Sequence, residues 1–311
     1  MAAVIKTINL TKRYGSLVAL SNLNLEIAEG DCFGFIGPNG AGKTTTLKIL
    51  ATLLQPTWGE ARVCDMVVGF QSRQIRPLIG YVPDYFGAYE DMVVQEYLEF
   101  FAAAYGIHGS TRNKIVADVL ELTDLGHKRD AMVDSLSRGM KQRLSVARVL
   151  VHDPKVLLLD EPAGNLDPRA RIEMRELLKE LRRMGKTILI SSHILPELAD
   201  LCNTVGIIEQ GELLYSGPVA DIVRRARTAR IMHVSVAGDP SKAEQLLAQL
   251  PQIAHVEQVD GYMAVSLNDD VGDISFIPQQ LLSAGMKLTM FKEEPVNLET
   301  AFMRLTKGIV Q

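Results

Sequence analysis

The stretch CFGFIGPNGAGKTT, residues 32–45, constrains the fold more than any other part of the chain. An uninterrupted apolar run enters a glycine-rich loop, and KTTTLKILATLL follows with Leu47, Leu50 and Leu54 at helical spacing. Strand, loop and helix in that order predict an α/β core. Gly37, Gly42, Lys43 and Thr44 fit the pattern G-x-x-x-x-G-K-[ST], with Pro38, Asn39, Gly40 and Ala41 inside the loop and Thr45 after it. Glycines let the backbone curl until its N–H groups point inward, and the helix beginning near Lys43 adds the positive end of its dipole. Such a loop accepts nucleotide phosphates. Lys43 is expected to reach the β- and γ-phosphates and the Thr44 hydroxyl to ligate Mg²⁺. A mere glycine turn before a core helix is the plainer alternative, which the flanking strand and helix disfavour.

Two further apolar runs share this core. VLLLDEP supplies adjacent carboxylates, Asp160 and Glu161, at the end of a buried strand, and TILISSH follows the helix PRARIEMRELLKELRRMG, which stops at Gly185. Neighbours on an extended strand face opposite ways, but Pro162 breaks the ladder, so the turning chain can offer both carboxylates to one site. Asp160 is then expected to orient Mg²⁺ through water, and Glu161 to align and polarise an attacking water. Near the start, VIKTINL and LVALSNLNLEIAEGD alternate at period two and predict antiparallel strands. Residues 91–150 read as an almost wholly helical insertion. In it Ser137 suits a helix N-cap, Gly139 lets a phosphate approach the next turn, and Met140, Leu144, Ala147 and Val151 form an apolar stripe. The expected fold is therefore α/β: a mixed, mainly parallel sheet with helices, an antiparallel β subdomain and a helical subdomain, together spanning residues 1–222.

Beyond residue 229 the pattern changes to β, α, β, β, α, β, the order of a ferredoxin-like α+β unit. A terminal amphipathic helix is expected in NLETAFMRLTKG, with Leu298, Ala301, Phe302 and Leu305 on one face and Gly308 after it. This second domain spans 229–311 and has no catalytic constellation in its sequence.

Composition narrows the functional classes. The 311 residues are 47% hydrophobic, enough for full cores, and the formal charge of −4 gives no global pull toward nucleic acid or anionic lipid. The three cysteines, Cys32, Cys64 and Cys202, are scattered without ligand-like spacing, which predicts buried thiols in a reducing compartment. Lys6 interrupts the apolar N-terminal stretch, so no signal peptide is expected, and no uncharged apolar run approaches the roughly 18–20 residues of a spanning helix. Any membrane role then runs through a partner.

With these parts in order, the sequence resembles the ATP-binding cassette (ABC) ATPases over roughly residues 3–220. LSRGMKQR resembles their signature sequence, GNLD their D-loop, SSH their switch histidine, and Tyr14 in KRYG the aromatic that stacks on adenine. The resemblance implies a head-to-tail pair of cassettes, two identical copies or two paralogues. Ser137 and Gly139 of each would complete the partner's ATP site, Asp167 would link the two sites, and His193 would contact the γ-phosphate. ATP would close the pair and hydrolysis release it.

Asp84 departs from the family, where glutamine commonly follows IGYVP, touching Mg²⁺ and the attacking water and sensing the transporter. An aspartate about 4 Å from a phosphate charge, at an effective dielectric near 20, meets repulsion of about 4 kcal/mol. Either Mg²⁺ neutralises Asp84, making it a catalytic and metal-facing residue, or the side chain points away; its main service is expected to be coupling to the partner. Gly164 and Asn165 likewise replace the usual serine and glycine of the D-loop.

Between Tyr81 and Tyr105 aromatics are dense; Tyr97, Phe101 and Tyr105 share a helical stripe that predicts core packing, whereas Tyr85, Phe86 and Tyr89 suggest a groove for a short helix of a membrane partner. A single cassette with a docking loop fits the motor of a transporter, held on the cytoplasmic face of the membrane by a separate integral-membrane permease. The stretch YVPDYFGAYEDMVVQEYLEFFAAAYGI and the tail EEPVNLETAFMRLTKG resemble ATPases of bacterial exporters. The alternatives are an importer ATPase, a soluble ATPase acting on translation or DNA, and a nucleotide-binding regulator without turnover. The second typically has a doubled cassette or a coiled-coil insertion, and Glu161 disfavours the third. No nucleic-acid partner is expected.

Overall fold

The computed structural model describes residues 3–85, 87, 91–226, 230–268 and 271–294, with the side chains of 223–226 left aside. They fall into two compact units, one within Met1–Val219 and one within Ala220–Arg304.

In the first unit β1 (Ala3–Tyr14) and β2 (Leu17–Ala28) pair antiparallel, and the period-two pattern of β2 buries Leu23, Leu25 and Ile27. β3 (Cys32–Ile36), buried along its whole length, runs into the glycine loop and α1 (Lys43–Leu50). The helix stops earlier than its leucine spacing suggests. Ala51 caps it and Thr52 takes φ +62°, so Leu54 packs on the core from a turn. β4 (Trp58–Val63) and β5 (Met66–Val67) complete a four-stranded antiparallel sheet in the order β2-β1-β4-β5. A short helix, α2 (Ser72–Ile75), leads to β6 (Ile79–Val82).

The helical insertion contains α3 (Val94–Ala104), α4 (Gly109–Leu122) and α5 (Arg138–Leu150). Ser137 caps α5, its hydroxyl accepting the Met140 N–H at 3.3 Å. The expected apolar stripe understates the burial of α5, for Gln142, Arg143 and Ser145 are buried beside Leu144 and Ala147, and Met140 is only half-buried. Arg143 explains part of this: Nη1 donates to the carbonyls of Thr123 and Asp124 and to Asp124 Oδ2, and Nη2 faces Glu173 at 3.4 Å. A buried cation is tolerable when its donors are satisfied in this way.

β7 (Val156–Asp160), α6 (Pro168–Arg183), β8 (Thr187–Ser192), α7 (Leu195–Leu201), β9 (Thr204–Glu209) and β10 (Glu212–Pro218) close the core. The six-stranded sheet runs β10-β9-β3-β8-β7-β6, parallel from β9 to β6 with β10 antiparallel at one edge. Strands β3, β7 and β8 are wholly buried, which is why they read as continuous apolar runs. α6 starts on Asp167 as N-cap with Pro168 at N1 and ends before Gly185 at φ +83°.

The second unit begins within α8 (Val219–Ala226). β11 (Ile231–Ala237), α9 (Pro240–Ala248), β12 (Ile253–Val259), β13 (Tyr262–Leu267), α10 (Phe276–Ser283) and β14 (Lys287–Glu293) follow in the order read from sequence. The all-antiparallel sheet β12-β13-β11-β14 is the ferredoxin-like arrangement, packed on Val234, Leu247, Val265, Ile277 and Leu281. The amphipathic tail with Leu298, Ala301, Phe302, Leu305 and Gly308, like Phe86 and Tyr89, lies outside the described residues.

Candidate nucleotide site

The site grows from the C-terminal ends of β3, β7 and β8, where parallel α/β sheets hold their ligands. Gly42 sits at φ +107°, and a Cβ there would come within 2.7 Å of the Ala19 carbonyl and 2.6 Å of Leu20, so only glycine passes between loop and β2. A Cβ on Gly37 would meet the Ile208 carbonyl at 2.3 Å. The loop is thus fixed by β2 and β9 beneath it. Thr44 is exposed and Thr45 half-buried at the start of α1.

Lys43 is buried. Its Nζ donates to the carbonyls of Gly37 (2.6 Å) and Pro38 (3.1 Å) and lies 3.7 Å from Glu161 Oε1. Burial pulls its pKa down, while Glu161 and Asp160 pull it back up. Glu161 takes φ +48°, the left-handed region rare outside glycine, and that twist is how consecutive carboxylates come to one place. Ser191 pins the twist: the Glu161 N–H donates to both its carbonyl and its Oγ at 3.1 Å, and that hydroxyl donates to Asp160 Oδ1 at 2.7 Å. On the far side His193 Nδ1 lies 2.8 Å from Glu161 Oε2. Lys43, Glu161 and His193 therefore form one polar line with Asp160 beside it.

Asp84 is exposed at the end of β6, and its Oδ1 lies 3.8 Å from where a Cβ on Gly164 would stand. Asp84 and Asp160 flank Tyr81, whose hydroxyl is buried; burial first, and then these two charges, push its pKa up to about 12. Asn165, where the family has glycine, occupies φ +55°, a conformation asparagine tolerates better than most residues. Tyr14 is 47% exposed with Lys12 Nζ 5.2 Å from its ring centroid. Ser137 and Asp167 spend side-chain oxygens on local caps, Asp167 Oδ1 accepting the N–H groups of Arg169 and Ala170.

Gly139 has an additional reason to be glycine. A Cβ there would meet the Ala170 Cβ at 2.6 Å, so the close approach of α5 to α6 already requires it. Ser191, Arg171 and Glu197 were not singled out from sequence; the serine of SSH was the available signal for the first. Tyr105, expected in the core, is 44% exposed and stacks on His152 at 3.9 Å.

The family comparison decides among the phosphate-binding classes. The ABC transporter family model matches residues 20–164. A Nod factor export ATP-binding protein I from Burkholderia orbicola is 36% identical over 300 residues, covering 96% of this chain and 95% of the relative. The chain belongs to the ABC transporter family. Solved cassettes agree: a dimeric cassette in a post-hydrolysis state with ADP and Pi is 28% identical (TM-score 0.63, 69% of this chain and 98% of that one). A subunit from Clostridium perfringens that is part of an ABC transporter complex is 26% identical (TM-score 0.65, 73% and 95%). The chain is thus an ATP-hydrolysing cassette that uses ATP with Mg²⁺, and cassettes of this kind pair and work with membrane permeases.

Proposed function

We propose that this cassette is the motor of an exporter, acting as a head-to-tail pair on a separate membrane permease at the cytoplasmic face. The observation that carries the direction is kinship along 96% of the chain, second unit included, with a protein named for export. Among the described residues no helix is long and apolar enough to cross a membrane. Cargo choice then belongs to the permease.

At the site, Lys43 and the loop N–H groups bind the β- and γ-phosphates, and Tyr14 stacks on adenine. Glu161 aligns and polarises the attacking water. His193, whose Nδ1 lies 2.8 Å from Glu161 Oε2, presents Nε2 to the γ-phosphate. Ser137 and Gly139 face the partner's ATP, and Asp167 links the two sites. The exposed Thr44 and the second carboxylate oxygen of Asp160 would hold Mg²⁺, an ion that needs no all-protein cage. Among the described residues there is no group of three or more metal-ligating side chains to offer a rival site. Mg²⁺ supplies neutralisation of the phosphate charge. Asp84, beside the D-loop Gly164, serves chiefly coupling.

A groove of about 250 Å³ supports the permease reading. It lies between the core and the helical insertion, lined by Leu53, Tyr81, Phe101, Tyr105, Arg148 and His152 among others. Leu53 is 63% exposed, and Arg148 lies over the Phe101 ring at 5.3 Å, so the mouth is apolar and aromatic, as a docking helix requires. Co-expression with the permease and recovery from detergent-solubilised membranes tests it. Wild type is expected to co-purify and Leu53→Asp to lose at least about tenfold of that recovery, a cost of about 1.4 kcal/mol. Equal recovery of both, or none of either, would refute docking at this groove.

A further inference from the structure

α6 and α7 are joined by a row of charges that none of the residues proposed to meet the nucleotide supplies. Arg171, Arg175, Lys179 and Arg182 recur along α6 at spacings that place them on one face. Arg171 Nε is 3.1 Å from Glu197 Oε1, Arg175 Nε is 3.4 Å and Lys179 Nζ 2.9 Å from Asp200 Oδ2, and Arg182 Nη1 donates to the Leu201 carbonyl at 2.9 Å. The Asp200 rungs are half in solvent, where such pairs contribute little.

The rung nearest the site differs. The Glu197 side chain is only 14% exposed, and it stands one turn of chain beyond His193. Arg171 also donates through Nη2 to the carbonyl of Leu166 at 3.2 Å, in the loop between Glu161 and Asp167. One guanidinium therefore touches the D-loop and the helix that follows the switch histidine. Nε and Oε1 face each other without an aligned N–H···O bond, an attraction that fixes direction while leaving room to adjust. Burial pushes the Glu197 carboxyl up despite Arg171, Arg175 and His193 pulling it down, with Glu161 adding to the push. Burial thus offsets part of what the ion pair contributes to the fold. The pair's remaining consequence is geometric.

We propose that Arg171 and Glu197 are positioning residues: through them a shift of the Leu166 carbonyl moves the start of α7, so that the D-loop and His193 change position together. The proposal rests on the reading that Glu161 and His193 act at the γ-phosphate. A displacement of about 1 Å at such a group can cost up to about a hundredfold in rate.

The test uses the full chain with ATP and Mg²⁺, measuring kcat, KM and thermal midpoint for Glu197→Gln, Arg171→Lys and the double variant, with Glu161→Gln alongside. Each single variant is expected to lower kcat roughly tenfold with KM within about twofold and the midpoint not lowered, and the double to be no worse than the poorer single. Multiplying effects in the double, wild-type kcat in either single, or a fall in kcat that only tracks a lowered midpoint would overturn the proposal. If Glu161→Gln hydrolyses like wild type, the underlying reading fails instead, whatever the other variants do.

Discussion

Gly139→Ala separates two reasons for a glycine in the signature stretch. The added Cβ would stand 2.6 Å from the Ala170 Cβ, against an ordinary carbon contact of about 3.5–4.0 Å, so one helix must yield by about 1 Å. Neither atom is the end of a flexible side chain, and overpacking of this kind costs about 1–3 kcal/mol. Alanine returns at most about 1 kcal/mol of helix propensity, less in the first turn where Gly139 sits. The net loss is then centred on about 1.5 kcal/mol, which lowers the melting midpoint by about 3–6 °C for a unit of roughly 200 residues. The measurement is thermal unfolding without nucleotide of wild type, Gly139→Ala, Ala170→Gly and the double variant. The double is expected to recover at least about 1 kcal/mol relative to the sum of the singles. Its ATPase rate then isolates the phosphate side of the argument: a refolded but slow double variant means the backbone at 139 must also be approached by a phosphate. A Gly139→Ala protein that melts with wild type, or a double variant whose effects simply add, would refute the packing account.

Glu161→Gln should reduce hydrolysis by at least about a hundredfold and trap an ATP-bound pair visible by light scattering; normal turnover would remove Glu161 from the water-polarising role. Asp84→Gln should change permease-stimulated hydrolysis more than basal hydrolysis, and equal effects on both rates would refute coupling as its main service. Glu197→Gln carries a pH signature. Burial raises the folded carboxyl above its ordinary 4.5, against the pull of Arg171, Arg175 and His193 and with the push of Glu161, so between the unfolded and folded values the folded chain holds more protons. Wild-type stability therefore falls as pH rises through that window, and the glutamine variant, which cannot titrate, should gain midpoint relative to wild type from about pH 4.5 upward. A constant difference across the range would mean no net cost at Glu197.

What the sequence disclosed and what it withheld divide by range. The loop at 37–45 and the order of elements beyond residue 229 were legible because glycine chemistry and hydrophobic period act within a few residues. The meeting of Asp160 with Glu161 was legible too, through Pro162. Contacts made across the fold were not. That Gly139 abuts Ala170, that Arg143 is buried on the carbonyls of Thr123 and Asp124, and that Tyr105 turns outward onto His152 depend on how α5 packs. No periodicity in α5 alone distinguishes a helix buried on one side from one buried nearly all round.

The same division explains where the strain sits. Gly42 at φ +107°, Glu161 at +48° and Asn165 at +55° bracket the phosphate site, and a non-glycine residue held there costs about 1–3 kcal/mol unless its surroundings over-determine it. They do so unequally. Glu161 is fixed by two bonds to Ser191 and a turn bond from the Gly164 N–H at 2.9 Å to its carbonyl, on strands that are wholly buried. Asn165 is itself exposed, between half-buried Gly164 and buried Leu166, and the Leu166 carbonyl after it is tied to Arg171. The Glu161 side of this turn is thus the more firmly tied and the Asn165 side the less so. A signal from a second cassette would consequently move Asn165 and Leu166 before it moved Glu161, and Arg171 is the side chain placed to carry that motion onward.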